Sequence, residues 1–141
     1  MTDRPGAAFR RLVKAALRAL LGGAMIAVGI MHFTHAPFFE KIVPAWLPAA
    51  RLLVQISGVF EIALGAATFV PPVRRWAGFG LVALYLAVFP ANVNMALHPE
   101  LGGDLPHWAL WARLPLQALF IVWALWATGA WPDDSASRSR G

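Results

Sequence analysis

The chain has no cysteine. Disulfides therefore contribute nothing to its fold. Thiol relay chemistry of the quinone-linked, disulfide-forming kind is excluded, together with iron–sulfur clusters and Cys-ligated zinc. Charge is also scarce. Asp, Glu, Lys and Arg make up 13% of the 141 residues, where a soluble domain carries about 25%. A water-facing surface needs that charge, and a lipid-facing surface does not. Short segments of alternating polar and apolar residues are missing too, so a closed β-barrel is not expected.

What the chain does have is apolar length, with 59% hydrophobic residues. Four windows stand out, at about 15–33, 52–70, 76–95 and 108–131. Each is close to the roughly 20 residues that cross about 30 Å of hydrocarbon. In lipid every backbone N–H and C=O must be satisfied within its own segment, so the windows predict α-helices. The expected fold is an all-α bundle of four transmembrane helices forming one membrane domain over 15–131, with a basic segment at 1–14. The polar, Ser-rich tail at 132–141 is expected to be disordered. A basic stretch ahead of an apolar run also suits a signal peptide. However, no small-x-small cleavage site follows the run, which continues into Met31, His32, Phe33 and Thr34. It is expected to be a retained first helix.

The formal net charge is +5, and its placement argues for a membrane rather than for nucleic acid. Arg4, Arg10, Arg11, Lys14 and Arg18 crowd the first segment, Arg74 and Arg75 share the tight turn after Pro71-Pro72, and Arg138 and Arg140 lie in the tail. In a four-span arrangement all three places fall on one side. The positive-inside rule makes that side the cytoplasm, which puts both termini there in a bacterial-type plasma (inner) membrane. The connections at 34–51 and 96–107 then lie outside. Trp46, Trp108 and Trp111 fit the outer interface, and Trp76, Trp126 and Trp131 the inner one. Phe38, Phe39, Ile42, Val43, Trp46 and Leu47 make the first outer connection too apolar for a solvated loop. It is expected to lie in the interface or to cap the bundle.

Polar residues inside the windows are the candidates for chemistry. Glu61 falls near the middle of the second. An acidic side chain at that depth costs on the order of 3 kcal/mol to insert and usually faces the bundle interior. It either relays a proton or ties helices together as a protonated or paired carboxyl. His32, Gln55, Asn92, Asn94, Arg113 and Gln117 cluster toward the same end and are candidate substrate- or cofactor-binding groups. Arg113 is the charge-matched partner for Glu61, directly or through Asn92 or Gln117. Pro90 removes one backbone bond from the third helix and frees a carbonyl, which either lines a cavity or marks a kink near the helix end. Glycines 22, 23, 29, 58, 65, 78 and 80 suit close helix contact. Only His32 of the four histidines lies near a span, so neither paired haem ligation nor a metal site is expected.

Five stretches resemble the DoxX-like family of small four-helix membrane proteins. They are Gly29-Ile30-Met31-His32-Phe33, Ile42-Val43-Pro44-Ala45-Trp46-Leu47-Pro48, Ser57-Gly58-Val59-Phe60-Glu61, Phe89-Pro90-Ala91-Asn92-Val93-Asn94-Met95-Ala96 and Arg113-Leu114-Pro115-Leu116-Gln117. Founding members of that family are described as the small membrane subunit of a thiosulfate:quinone oxidoreductase, and others as partners in redox-stress complexes. The resemblance implies a quinone-interacting membrane subunit with a soluble redox partner that carries the electrons. Two alternatives stay open. One is a proton-linked carrier or binding module, for which a homodimer would be needed because four helices are few for alternating access. The other is an assembly or structural factor without catalysis.

Overall fold

The computed structural model describes residues 5–131. Regular structure among them is helical throughout: α1 (Pro5–Thr34), α2 (Ala36–Ile42), α3 (Ala50–Ala67), α4 (Arg74–Leu97) and α5 (His107–Thr128), with a 3-10 turn at Pro99–Gly102 between the last two. Helices α1, α3, α4 and α5 are each long and apolar enough to cross a membrane. Arg4, Arg138 and Arg140, and the tail expected to be disordered, lie outside the described residues.

Helix α1 begins about ten residues ahead of its apolar window and runs for 30 residues. At 1.5 Å per residue that is about 45 Å, against about 30 Å of hydrocarbon. Nothing between Gly6 and Lys14 interrupts it. Pro5 occupies the first helical position, where its missing N–H costs nothing, and Ala7, Ala8, Leu12 and Ala15 are strong helix formers. From Pro5 onward the basic segment is thus a helical extension of the first span.

Backbone contact between α1 and α3 organises the bundle. Gly22 and Gly29 on α1 meet Gly65 and Gly58 on α3. A Cβ at Gly29 would lie 2.8 Å from the Gly58 carbonyl oxygen, and a Cβ at Gly65 would lie 2.9 Å from that of Gly22. The spacing is seven residues, or two turns, on both helices. Because the helices run antiparallel, the two glycine pairs come into register. Without a hydrophobic driving force in lipid, such close packing is what holds helices together. Gly78 accommodates Thr128 of α5 and Gly80 the side chain of Leu64, whereas Gly23 meets nothing within 4 Å.

Two apolar clusters fill the interior. Leu21, Met25, Leu81, Leu84, Ala124 and Ala127 form the larger one, with Tyr85 and Trp123 against it. Ile42, Met95 and Leu110 form the smaller one at the α2 end. The outward surface is apolar as well: Leu20, Val59, Leu86 and Leu119 are all more than half exposed. That surface is tolerable in lipid, and in water it would aggregate. Of the two placements open to the first connection, the fold has the cap. Ile42 is buried in the smaller cluster and its carbonyl accepts from Asn94 Nδ2 at 3.0 Å.

Candidate functional site

Glu61 lies on the same stripe of α3 as Gly58 and Gly65, at offsets of three and four residues, and that stripe faces α1. His32 follows Gly29 by three residues on the opposing stripe. The glycines that let the backbones touch therefore also bring these two side chains together. His32 Nδ1 lies 2.9 Å from Glu61 Oε2 and 2.9 Å from the carbonyl oxygen of Val28. Both residues are more than nine-tenths buried. A carbonyl only accepts, so Nδ1 carries the proton in this arrangement. The single N–H faces two acceptors at equal distance, and its alignment favours the Val28 carbonyl, which leaves Oε2 fully buried without a hydrogen bond of good geometry. Buried carboxyl oxygens are seldom left in that state.

The other ring face of the site is closed by α2. Phe39 stacks on the His32 imidazole at 3.9 Å between centroids, and Phe38 packs edge-on against Phe39. On the outward side, Phe33, Gln55, Ile56, Val59 and Phe60 line a shallow open groove of about 460 Å³. Phe33 and Phe60 are the chain neighbours of His32 and Glu61, which are themselves buried and do not line the groove. Gln55 supplies its amide there.

Asn92, Arg113 and Gln117 form a second polar group between α4 and α5. Asn92 Nδ2 donates to Gln117 Oε1 at 2.8 Å, Arg113 Nη2 approaches Asn92 Oδ1 at 3.5 Å, and Gln117 Nε2 donates to the Tyr85 carbonyl. The expected pairing of Glu61 with Arg113 does not occur; His32 takes that place. Helices α3 and α5 stand at opposite corners, since α3 packs on α1, α2 and α4 while α5 packs on α4 and α1. Pro90 sits within α4, which continues to Leu97. Its missing N–H frees the Leu86 carbonyl, and Gln117 bonds the carbonyl of the preceding residue, Tyr85. Asn94 anchors the cap rather than joining this group.

Two residues in these clusters escaped the sequence reasoning. Tyr85 donates its hydroxyl to Met25 Sδ on α1 at 3.2 Å while its carbonyl accepts from Gln117, so it ties the α4–α5 group to α1. As the chain's single tyrosine, in the middle of an aliphatic span, it carried a signal. Phe39 carried none, because stacking on an imidazole cannot be read from composition. The remaining histidines are dispersed: His35 bonds Thr34, His98 bonds the Asn94 carbonyl and His107 accepts from Trp111. Among the described residues no three His, Asp or Glu side chains converge on a metal position.

Four apolar helices packed around buried polar groups are the architecture of a small multi-pass membrane protein. Residues 21–128 match the family described as domain of unknown function DUF8561, and the chain belongs to that family. No curated protein and no solved structure matches it.

Proposed function

We propose that the protein is a DoxX-like membrane subunit of a redox complex, binding a lipid-soluble quinone in the groove beside Glu61 and His32. The observation that carries this reading is the buried, unsatisfied Glu61 Oε2 at 2.9 Å from a protonated imidazole nitrogen. A carboxyl so placed can take a proton from His32 and hold it next to a lateral groove. The groove suits the ligand class: it is open to lipid, lined by Phe33 and Phe60, and offers the Gln55 amide to a ring carbonyl. A quinone, when bound, supplies a two-electron couple that also needs protons. Glu61 and His32 hold and move those protons, Phe39 keeps the imidazole oriented, and α2 limits access from the end of the bundle. With no cysteine, the chain offers no thiolate for an iron–sulfur cluster, and a soluble partner delivers the electrons.

The proposal places the protein in a bacterial-type plasma membrane with both termini in the cytoplasm. Arg10, Arg11, Lys14, Arg18, Arg74 and Arg75 gather at one end, where no described residue is acidic, while Glu40, Glu100 and Asp104 lie at the other among Lys41 and Arg51. That asymmetry is what the positive-inside rule requires.

Purification from the native membrane in mild detergent, followed by mass spectrometry of retained proteins and lipids, tests the function. Quinone together with a soluble redox protein is the expected result, with quinone lost from a Glu61→Gln, Gln55→Leu variant. A homo-oligomer retaining neither overturns it.

A further inference from the structure

The imidazole of His32 has a second nitrogen that the contact with Glu61 does not use. Nδ1 faces Glu61 Oε2 and the Val28 carbonyl, whereas Nε2 has no bonding partner. Two side-chain atoms among the described residues are fully buried without a hydrogen bond, Glu61 Oε2 and Trp123 Nε1. Nε2 is not one of them, so the 7% of His32 that stays exposed includes this atom. Phe39 covers one face of the ring, and α3 lies along its Nδ1 edge. His32 does not line the groove at Phe33 and Gln55, so Nε2 emerges on another part of the surface.

The glycine contacts fix how deep that atom lies. With Gly29 against Gly58 and Gly22 against Gly65 on antiparallel helices, His32 comes level with Gln55. Gln55 is five residues into α3, and His32 is two residues from the end of α1. The imidazole therefore lies within about 8 Å of the end of the bundle that α2 caps. Glu61 is six residues further along α3 than Gln55, about 9 Å deeper along the axis. Of the elements packed on α1, α3 brings Glu61, α2 carries Glu40 and Lys41, and α5 carries His107 and Arg113. Among these side chains only Glu61 acts on the imidazole. One nitrogen of His32 thus belongs to a buried acid, and the other to the surface near the water-rich end.

We propose that His32 Nε2 is the port through which Glu61 exchanges protons with water at the α2 end, by a route separate from the lateral groove. The acid–base role proposed above for the pair underlies this route, and the identity of the groove's ligand does not enter it. A proton from water adds to the Nε2 lone pair and makes an imidazolium. The Nδ1 proton then passes to Oε2, leaving a carboxyl and a neutral ring whose hydrogen is on Nε2. The new O–H donates back to Nδ1, so the oxygen that has no hydrogen bond gains one. Reversal of the same steps returns the proton to water. Histidine is suited to this shuttle because its two nitrogens are distinct and its charge changes near neutral pH. A ligand in the groove leaves the port open, so the acid can be reloaded while the groove is occupied.

The test is infrared difference spectroscopy of the full-length protein in lipid vesicles, followed after transfer to D2O. The carboxyl band that Glu61→Gln removes belongs to Glu61, and the rate of its deuterium shift is the rate of proton exchange. His32→Phe, which keeps a ring against Phe39, should slow that shift roughly a hundredfold. His98→Phe, at an exposed position bonded to the Asn94 carbonyl, should leave it unchanged. A thermal melt identifies a His32→Phe protein that has not folded. In that case deuterium exchange at the imidazole Cε1 positions of the wild type, read by mass spectrometry, decides alone: His32 should exchange, as exposed His98 does. Equal shift rates in wild type and folded His32→Phe overturn the proposal, as does a His32 that fails to exchange while His98 does. A Glu61 with no carboxyl band at any pH where the protein stays folded also overturns it, since that side chain then takes up no proton. Quinone found or not found on the purified protein alters none of these readings, so failure of the quinone assignment and failure of the port are told apart.

Discussion

His32 Nδ1 stands 2.9 Å from Glu61 Oε2 and equally far from the carbonyl oxygen of Val28, so one ring proton faces two acceptors. This contact depends on the glycine stripes of α1 and α3. Without Gly29 against Gly58, the helix axes would stand further apart and a His and a Glu would no longer meet across them. The contact that stabilises the bundle is thus also the one that sets the geometry of the acid–base pair.

Breaking the pair from one side should cost more than removing it whole. Glu61→Leu leaves the imidazole without its acid, and His32→Phe leaves a carboxyl buried beside apolar groups while keeping a ring to stack on Phe39. Each single change should destabilise the protein by roughly 3 kcal/mol. The double variant should lose clearly less than the sum, because no uncompensated polar group remains. Unfolding of the four proteins by denaturing detergent gives the coupling directly, and strict additivity would show that the two side chains do not interact.

Glycine positions make a sharper contrast. At Gly29 or Gly58 a Cβ would come within 2.9 Å of backbone oxygen on the other helix, and backbone cannot move aside as a flexible side chain can. Gly29→Ala and Gly58→Ala should therefore lower stability by about 1–3 kcal/mol through overpacking. Gly23→Ala, one residue off the stripe with nothing within 4 Å, should be neutral or stabilise by up to about 1 kcal/mol through helix propensity. Melting temperatures in a single detergent suffice to order the three.

Much of this arrangement is legible from the residues alone, because the bilayer restricts what an apolar run can become. The four spans follow from run length and the scarcity of charge. Where a helix starts is a different question from where lipid starts, and the ten extra residues of α1 separate the two. The candidate polar residues follow from the insertion cost of charge, but their partners do not. Linear sequence contains neither the rotation of a helix about its axis nor which helices are diagonal in the bundle, so Arg113 looked like the natural partner for Glu61. The heptad spacing of Gly22–Gly29 and Gly58–Gly65 held the needed information, since it names the faces of α1 and α3 that touch.

The α4–α5 group should behave as a network centred on Gln117. Its amide both accepts from Asn92 and donates to the Tyr85 carbonyl. Gln117→Leu should therefore cost more than Arg113→Gln, whose single contact to Asn92 is long, at 3.5 Å, and exposed. Interhelical hydrogen bonds in membranes contribute about 0.6 kcal/mol on average and up to about 1.7. A loss of about 1–2 kcal/mol is expected for Gln117→Leu, and under about 0.5 kcal/mol for Arg113→Gln. The reverse order in a denaturing-detergent titration would mean that Arg113, rather than Gln117, organises the group.

Orientation is open to a test that the composition makes unusually clean. Because the chain has no cysteine, any introduced thiol is the only one present and needs no background subtraction. Val73, in the turn between α3 and α4, and Asp104, between the 3-10 turn and α5, are both exposed and lie at opposite ends of the bundle. With the six described basic residues of the Val73 end in the cytoplasm, a membrane-impermeant maleimide applied to intact cells should label Asp104→Cys and leave Val73→Cys unlabelled until the membrane is opened. The opposite pattern would put those cations outside against the positive-inside rule. It would also place the α2 cap, and with it the approach to His32 from the bundle end, toward the cytoplasm, and a soluble redox partner would then have to dock on that face.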